Sequence, residues 1–387
     1  MITTLAAHGF RSLADLVLPL GRVTVITGAN GSGKSNIYRA MQLMSRAAYG
    51  DMVAAMARDG GLDSLLWAGP ETLSGAMLRG EVPVQGGPRK RPVSLSLGFA
   101  SDAFSYLVNV GLPIPNGDDP FFKDPVLKRE VIFAGEVMRP ATTFVRRKGA
   151  LAQLRDGAEW FDASTQLSEW DSVLTELGDP NLSPEVLAVR RQLRSWRFYD
   201  TFRVDAAAPA RQPQVGVRTP VLADDGADLA PALLTILRSA YGGLLTELIE
   251  RALGVGLRVR TDGLFQIELD QPGMLRPLSA REFSDGTLRF LLLAAALLSP
   301  RPPGLLILNE PETSLHPEVL PAVAKLIESA AQRTQVIVVS HSTQIIDALT
   351  SADVDDVIHH RLEKQLGATR ILDQGLLSRP RWEWGSR

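Results

Sequence analysis

The distribution of apolar and polar positions already separates strands from helices along this chain. Residues 22–27 (Arg-Val-Thr-Val-Ile-Thr), 304–308 (Gly-Leu-Leu-Ile-Leu) and 335–339 (Gln-Val-Ile-Val-Val) are short apolar runs, β-branched or leucine-rich, which predicts buried strands. Residues 93–99 (Val-Ser-Leu-Ser-Leu-Gly-Phe) alternate with period two and predict a half-exposed antiparallel strand. Alternation over residues 16–20 makes residues 1–27 two short strands leading into the run at 22–27, with Phe10, Arg11 and Ser12 in the first connection. Further strands are expected at 130–133 and 142–145.

Helical patterning follows residue 33 to about Ala48 and returns in a small-residue stretch at 51–66, which runs into turn chemistry at Trp67, Gly69 and Pro70. From 151 to 204 the pattern is read as helical. Ser183, Pro184 and Glu185 there supply an N-cap, a first-turn proline and an early acid. In the helix they open, Val186, Val189, Leu193 and Trp196 share one face, while Arg190, Arg194 and Arg197 share another with Arg191 beside them. Residues 205–222 read as an extended connection, and Asp224, Asp225 and Asp228 as turn and cap residues before an apolar helix at 229–237. A last apolar helix opens near Ser284 and runs to about Leu298. No fixed-period repeat, low-complexity tract or sustained heptad pattern is present.

At 387 residues the chain is long enough for one large α/β domain or two lobes, and 45% hydrophobic with 22% charged residues is an ordinary soluble composition. A net charge of −2 excludes a globally basic nucleic-acid binder and leaves local basic patches. Arg89–Arg91 and Arg146–Lys148 are short basic turns, by default solvent-facing hairpin tips. Arg190, Arg191, Arg194 and Arg197 are the best candidates for contacting nucleic-acid phosphates, with a solvated helix face as the alternative. The absence of cysteine rules out disulfides, thiolate metal sites and cysteine nucleophiles. The N-terminus lacks the pattern of a signal peptide and the longest apolar run, residues 290–298, is too short for a bilayer, so a cytoplasmic protein without membrane association is expected.

Between the run at 22–27 and the first helix stands Gly28-Ala29-Asn30-Gly31-Ser32-Gly33-Lys34-Ser35-Asn36, a phosphate-binding P-loop in its required strand–loop–helix setting. Glycines let successive backbone N–H groups turn toward phosphate oxygens, and the helix offers its positive end to the same charge. Lys34 is placed to reach β- and γ-phosphates and the Ser35 hydroxyl to ligate Mg²⁺. Arg11 could approach a bound nucleotide, because its turn returns to the P-loop strand; a solvated turn arginine is the alternative. The second strand ends in Asn309-Glu310-Pro311-Glu312, with Glu310 chosen to orient or deprotonate an attacking water. The third ends in Ser340-His341-Ser342, where His341 could hydrogen-bond a γ-phosphate. Ser284 and the Gly286 backbone at a helix start would also suit a phosphate.

In this order, the P-loop, the serine–glycine signature before a helix, the carboxylate strand with Glu-Pro-Glu-Thr-Ser-Leu-His-Pro and the Val-Ser-His end resemble the ABC-type ATPases of the SMC and RecF group, most closely the compact bacterial AAA_21-like ATPases. The resemblance covers the N-terminal quarter and the C-terminal third. It implies an α/β P-loop NTPase of two-lobed, head-like architecture, with a mixed central sheet, an antiparallel portion, a helical lobe and no long coiled coil. Residues 1–100 and 300–375 would form the nucleotide-binding lobe, 101–299 the middle region and 376–387 a tail. It further implies Mg²⁺ and ATP as ligands and an ATP-dependent homodimer in which Ser284 and Gly286 of one subunit close over the γ-phosphate held by Lys34 of the other.

The chain departs from that pattern at Asn309, where the group has aspartate, so any contact to Mg²⁺ would run through water without a negative charge. Phe283 and Asp285 replace leucine and glycine of the transporter signature, and no glutamine loop is evident after the P-loop helix. The leading expectation is an ATP-hydrolysing switch linked to DNA maintenance or defence against foreign DNA. A weakly hydrolysing ATP-binding scaffold for a protein effector such as a nuclease is the alternative, and a transporter motor subunit fits the altered signature poorly.

Overall fold

The alternating strands collect into one antiparallel sheet and the apolar strands into a second, largely parallel one. The computed structural model describes residues 1–71, 74–86, 93–113, 120–200, 202–352, 354–372, 374–375 and 377–385. The basic turn expected at 89–91 lies outside them. The chain divides into two compact units: residues 1–21, 28–195 and 360–387 form one, and residues 22–27 with 196–359 the other.

In the first unit eight antiparallel strands run in the order Leu13–Pro19, Ile2–Phe10, Ser94–Ser101, Phe104–Gly111, Val126–Ala134, Thr143–Lys148, Leu151–Asp156 and Glu159–Ser164. The P-loop helix Lys34–Ala47 packs against Ile2–Phe10 and Ser94–Ser101 with Ile37, Met41 and Met44 buried. Ser45 Oγ and Tyr49 Oη donate to the carbonyls of Leu193 and Arg194, tying it to helix Pro184–Arg194. Helices Met52–Arg58 and Gly61–Leu65 follow, as the small-residue stretch suggested.

Four expectations are corrected here. The strand at 93–99 is not half exposed: Leu95, Leu97 and Phe99 are fully buried and so is Ser96, because Asn109 Nδ2 donates to its hydroxyl at 2.8 Å and Trp382 covers Gly98. A Cβ at Gly98 would stand 2.5 Å from the Trp382 ring. The stretch 151–204 is not uniformly helical, since it begins with the hairpin Leu151–Asp156 and Glu159–Ser164, turned at Gly157 (φ 59°). Helix Pro184–Arg194 stops at the Ser195 cap, and Trp196 and Arg197 belong to strand Trp196–Tyr199. Pro184 does occupy the first turn, but Ser183 Oγ donates to the Asp179 carbonyl instead of capping.

A buried ion pair anchors the far half of this sheet. Residues 146–148, expected as a solvent-facing turn, end strand Thr143–Lys148 instead, and Glu130 and Arg147 side chains are both 0% exposed with Nη1 to Oε2 at 2.9 Å. Glu130 also accepts from Tyr106 Oη (2.6 Å), Ser172 Oγ (2.5 Å) and Val173 N (3.0 Å). The C-terminal segment lies over Leu107, Val131 and Phe133 through Trp382 and Trp384, with Arg379 on Asp15 at 2.6 Å.

In the second unit Trp196–Tyr199, Leu305–Asn309, Gln335–Val339 and residues 23–26 of Val23–Gly28 pair in parallel, in that order, and strand Val357–Gln365 follows Val23–Gly28 in the sheet. Leu305 to Leu308 are all 0% exposed, and burying each stabilises the sheet by about 1.5–3 kcal/mol. Helices Leu229–Leu237, Gly242–Leu253, Asp285–Leu297, Leu320–Ala331 and Thr343–Thr350 contribute the rest of this core. Asp225 and Asp228 shape the turn before Leu229–Leu237 by accepting from Ala227 N and Ala223 N, and Asp228 does not cap the helix. A small antiparallel sheet, Gly256–Arg260, Gln266–Asp270 and Leu278–Ser279, completes the unit. Among the described residues the longest helix has 14 residues, and no single helix is long and apolar enough to cross a membrane.

Candidate functional site

The P-loop has the backbone that phosphate binding needs. Gly28, Gly31 and Gly33 take φ of 151°, 77° and 109°, values that a side chain would strain. At Gly33 the restriction is also steric, because a Cβ would overlap Thr369 Oγ1 and come within 2.9 Å of Ser12 Oγ. Those hydroxyls form a brace: Asn36 Nδ2 donates to Ser12 Oγ, Ser12 Oγ bonds Thr369 Oγ1 at 2.7 Å, and Thr369 Oγ1 donates to the Ser32 carbonyl at 2.7 Å. Lys34, 5% exposed, curls over the loop and donates to the carbonyls of Gly28 and Ala29. Ser32 Oγ is buried without a protein partner, whereas Ala29, Asn30, Gly31 and Ser35 are exposed. A buried hydroxyl left over beside a helix N-terminus, a lysine folded on the same loop and an exposed Ser35 together fit a Mg²⁺-bound nucleotide triphosphate.

Arg11 sits at φ 46° with its N–H on the Leu65 carbonyl and its guanidinium 3.6 Å from Asp59. Burial lowers its pKa and neighbouring Arg39 adds to the effect, while Asp59 opposes them.

In the second unit the ends of three parallel strands bring the other candidates together. Val339 is in register with both Asn309 and Ile26, Glu310 N donates to the Val339 carbonyl, and Ser340 N donates to the Ile26 carbonyl. His341 Nε2 stands 3.5 Å from Glu310 Oε1, with the side chains 38% and 45% exposed, so both reach solvent and each other. Glu310 and Ser314 take φ of 47° and 63°, conformations that cost a non-glycine residue about 1–3 kcal/mol and concentrate at working sites.

Glu312 holds this arrangement from below. Its Oε1 accepts from Ser340 Oγ (2.8 Å), His341 N (2.7 Å) and Ser342 N (3.1 Å). The carboxylate thereby fastens the histidine loop to the loop that carries Glu310.

Helix Asp285–Leu297 is joined to the same loop. Ser284 is its N-cap and accepts from Thr287 N, and a Cβ on Gly286 would lie 2.9 Å from the Ser314 carbonyl. Arg289, 5% exposed, donates to the Glu310 carbonyl at 3.0 Å. Burial lowers its pKa, opposed in turn by Glu312, Asp200 and Glu310. Asp285 is held by Arg211 at 2.6 Å, which gives its carboxylate a partner inside the chain. Asn309 Nδ2 donates to Asp200 Oδ1 at 2.7 Å, and Asp200 is one residue beyond Tyr199, the register partner of Leu308.

The four arginines do not form one stripe. Arg190 and Arg194 donate to the carbonyls of Leu174 and Ala48, Arg194 lies over the Tyr49 ring, and Arg197 is on a strand 4.0 Å from Asp224. Arg191 is exposed on its helix.

Sequence reasoning missed Asp200, Arg289, Glu312 as a clamp and Thr369 as a brace. Glu312 was visible within the acidic motif. Asp200 was hidden because the aromatic run Trp196-Arg197-Phe198-Tyr199, a sound strand composition, was absorbed into a helical stretch.

A family described as "AAA domain, putative AbiEii toxin, Type IV TA system" matches residues 23–347. No curated protein matches the chain in sequence. Among solved structures, an SMC head domain from Thermotoga maritima is similar at 16% identity, covering 97% of this chain and 99% of its own, with a TM-score of 0.43. The Smc head domain of Pyrococcus furiosus, with an extended coiled coil and bound to the C-terminal domain of ScpA, is similar at 15% identity over 97% and 96%, TM-score 0.48. That of Pyrococcus yayanosii, with a coiled coil and joint, is similar at 12% over 97% and 98%, TM-score 0.49.

Proposed function

The chain belongs to this AAA-domain family, and on that premise we propose that it is an ATP-hydrolysing molecular switch. The observation that carries the proposal is the Glu310–His341 pair, 3.5 Å apart at the ends of adjacent strands, one of which is bonded to the strand that delivers the P-loop. Bound Mg²⁺ would neutralise phosphate charge and polarise the γ-phosphoryl group. In the first unit Lys34 would bind the β- and γ-phosphates and Ser35 would hold the metal. In the second unit Glu310 would orient the attacking water and take its proton, His341 would hydrogen-bond the γ-phosphate, and Asn309 would accept from a metal-bound water.

Ser284 and Gly286 of a second copy close over the nucleotide, so two-fold symmetry gives two composite sites per dimer. In this reading the switch acts in the cytoplasm, in DNA maintenance or defence against foreign DNA, a link that rests on the resemblance of the motif set to the SMC and RecF group. The neutral Asn309 favours a second reading, a slowly hydrolysing ATP-bound scaffold for a protein effector such as a nuclease.

Phosphate release with Mg²⁺, without DNA and with single- or double-stranded DNA, tests the proposal alongside the solution mass of Glu310→Gln with ATP. Lys34→Ala should lose nucleotide binding, and Glu310→Gln should keep it and accumulate as dimer. Parent-like hydrolysis by Glu310→Gln would refute the catalytic assignment. Tight binding with negligible turnover would favour the scaffold.

A further inference from the structure

We propose that Asp200 supplies the negative charge that Asn309 lacks, so that the carboxylate of the Mg²⁺ site stands on the neighbouring strand. Resting on the ATP and Mg²⁺ reading of the same strand ends, the inference starts from their register. Trp196–Tyr199 runs parallel to Leu305–Asn309 with Tyr199 beside Leu308, so Asp200 emerges at the level of Asn309. The 2.7 Å bond from Asn309 Nδ2 to Asp200 Oδ1 then orients the amide. Its N–H group is committed to the carboxylate, and its carbonyl oxygen is the acceptor it can offer to a metal-bound water.

Asp200 is exposed at the strand end, within hydrogen-bond distance of Asn309. Mg²⁺ takes hard oxygen donors and retains several waters, so a carboxylate one bond removed from Asn309 serves it through the hydration shell. The pair thus divides between two strands what a single aspartate would do: Asn309 sets the acceptor and Asp200 the charge.

The competing role for Asp200 is to balance the buried guanidinium of Arg289. Glu312 is the stronger influence on that group and Glu310 a further one, so Arg289 has carboxylates without Asp200. The two roles differ in what they change: a counter-charge alters stability, and a metal-site charge alters the Mg²⁺ requirement for nucleotide binding.

The test measures binding of a fluorescent ATP analogue to the full chain in EDTA and across a Mg²⁺ titration, with melting temperature in parallel. Asp200→Asn should leave affinity in EDTA unchanged and raise half-saturating Mg²⁺ about tenfold, the gap between a charged and a neutral acceptor. Adding Asn309→Asp to that variant should return the Mg²⁺ dependence toward the parent's, because the charge is restored one strand away. An unchanged Mg²⁺ dependence in Asp200→Asn, with or without a lowered melting temperature, would overturn the inference. Should Asp200→Asn fail to fold, Asn309→Asp alone reads the same pair: a second carboxylate should lower half-saturating Mg²⁺, and no change would overturn it. A parent chain that binds no nucleotide would remove the ATP reading, and this inference with it, whereas Mg²⁺-dependent binding that Asp200→Asn leaves untouched removes this inference alone.

Discussion

Replacing Glu312 by alanine should slow ATP hydrolysis through His341 without touching nucleotide affinity. Three donors converge on Glu312 Oε1, from Ser340 Oγ, His341 N and Ser342 N at 2.7–3.1 Å, while Oε2 is buried with no protein partner. Each bond to a charged acceptor contributes about 1.5–3 kcal/mol and a buried unpaired oxygen costs about 1–3, so middle values leave about 5 kcal/mol holding the histidine loop. Part of this is recoverable, because Ser342 N has a second acceptor in Ser340 Oγ at 3.0 Å and Ser342 Oγ still caps Ile345 N. If about half is lost from the position of His341, turnover falls roughly 50-fold. Steady-state phosphate release by the parent, Glu312→Ala, His341→Ala and the double variant measures it. Acting through His341, Glu312→Ala should add little to His341→Ala. Turnover of Glu312→Ala close to the parent's, or a double variant in which the two losses multiply, would refute the clamp.

Glu130→Ala should destabilise the chain by about 3–5 kcal/mol in urea unfolding, because it strands the fully buried Arg147 and three further donors. A loss under about 1 kcal/mol would contradict the network. The C-terminal segment should loosen in acid. Its anchor Asp15 is held below the usual carboxylate range by His8 first and then by Arg379, against burial, so its stabilisation is complete above about pH 4 and disappears as pH falls through the lowered value. Tryptophan emission of Trp382 and Trp384 should report release at that pH, and Arg379→Ala, which removes the segment's partner for Asp15, should abolish the acid step.

The chemistry of the site was more legible in the sequence than its scaffold. A P-loop is nine contiguous residues whose roles follow from their own backbone, and Glu310 and His341 each stand at the end of a strand that reads as apolar without any knowledge of its neighbours. What escaped notice depends on distant parts of the chain. Gly98, two residues beyond the buried Ser96, is covered by Trp382, nearly three hundred residues later. Thr369 braces the P-loop from the C-terminal hairpin Val357–Gln365 and Ala368–Ile371. The strand Trp196–Tyr199 is four residues long and begins two residues after a helix ends, too short for periodicity to register.

The close approach of Gly286 to the Ser314 carbonyl has a consequence for how signature variants are interpreted. A methyl group at 286 would press on the loop of its own chain, 2.9 Å from the carbonyl and four residues after Glu310. Inactivity of Gly286→Ala would therefore arise even in a protein whose two copies never met. A mixed dimer separates the cases: pairing Gly286→Ala chains with Lys34→Ala chains puts both lesions in one composite site and leaves the other intact if the glycine serves its neighbour, so activity returns, whereas a glycine that serves its own chain leaves both sites damaged and the mixture inactive.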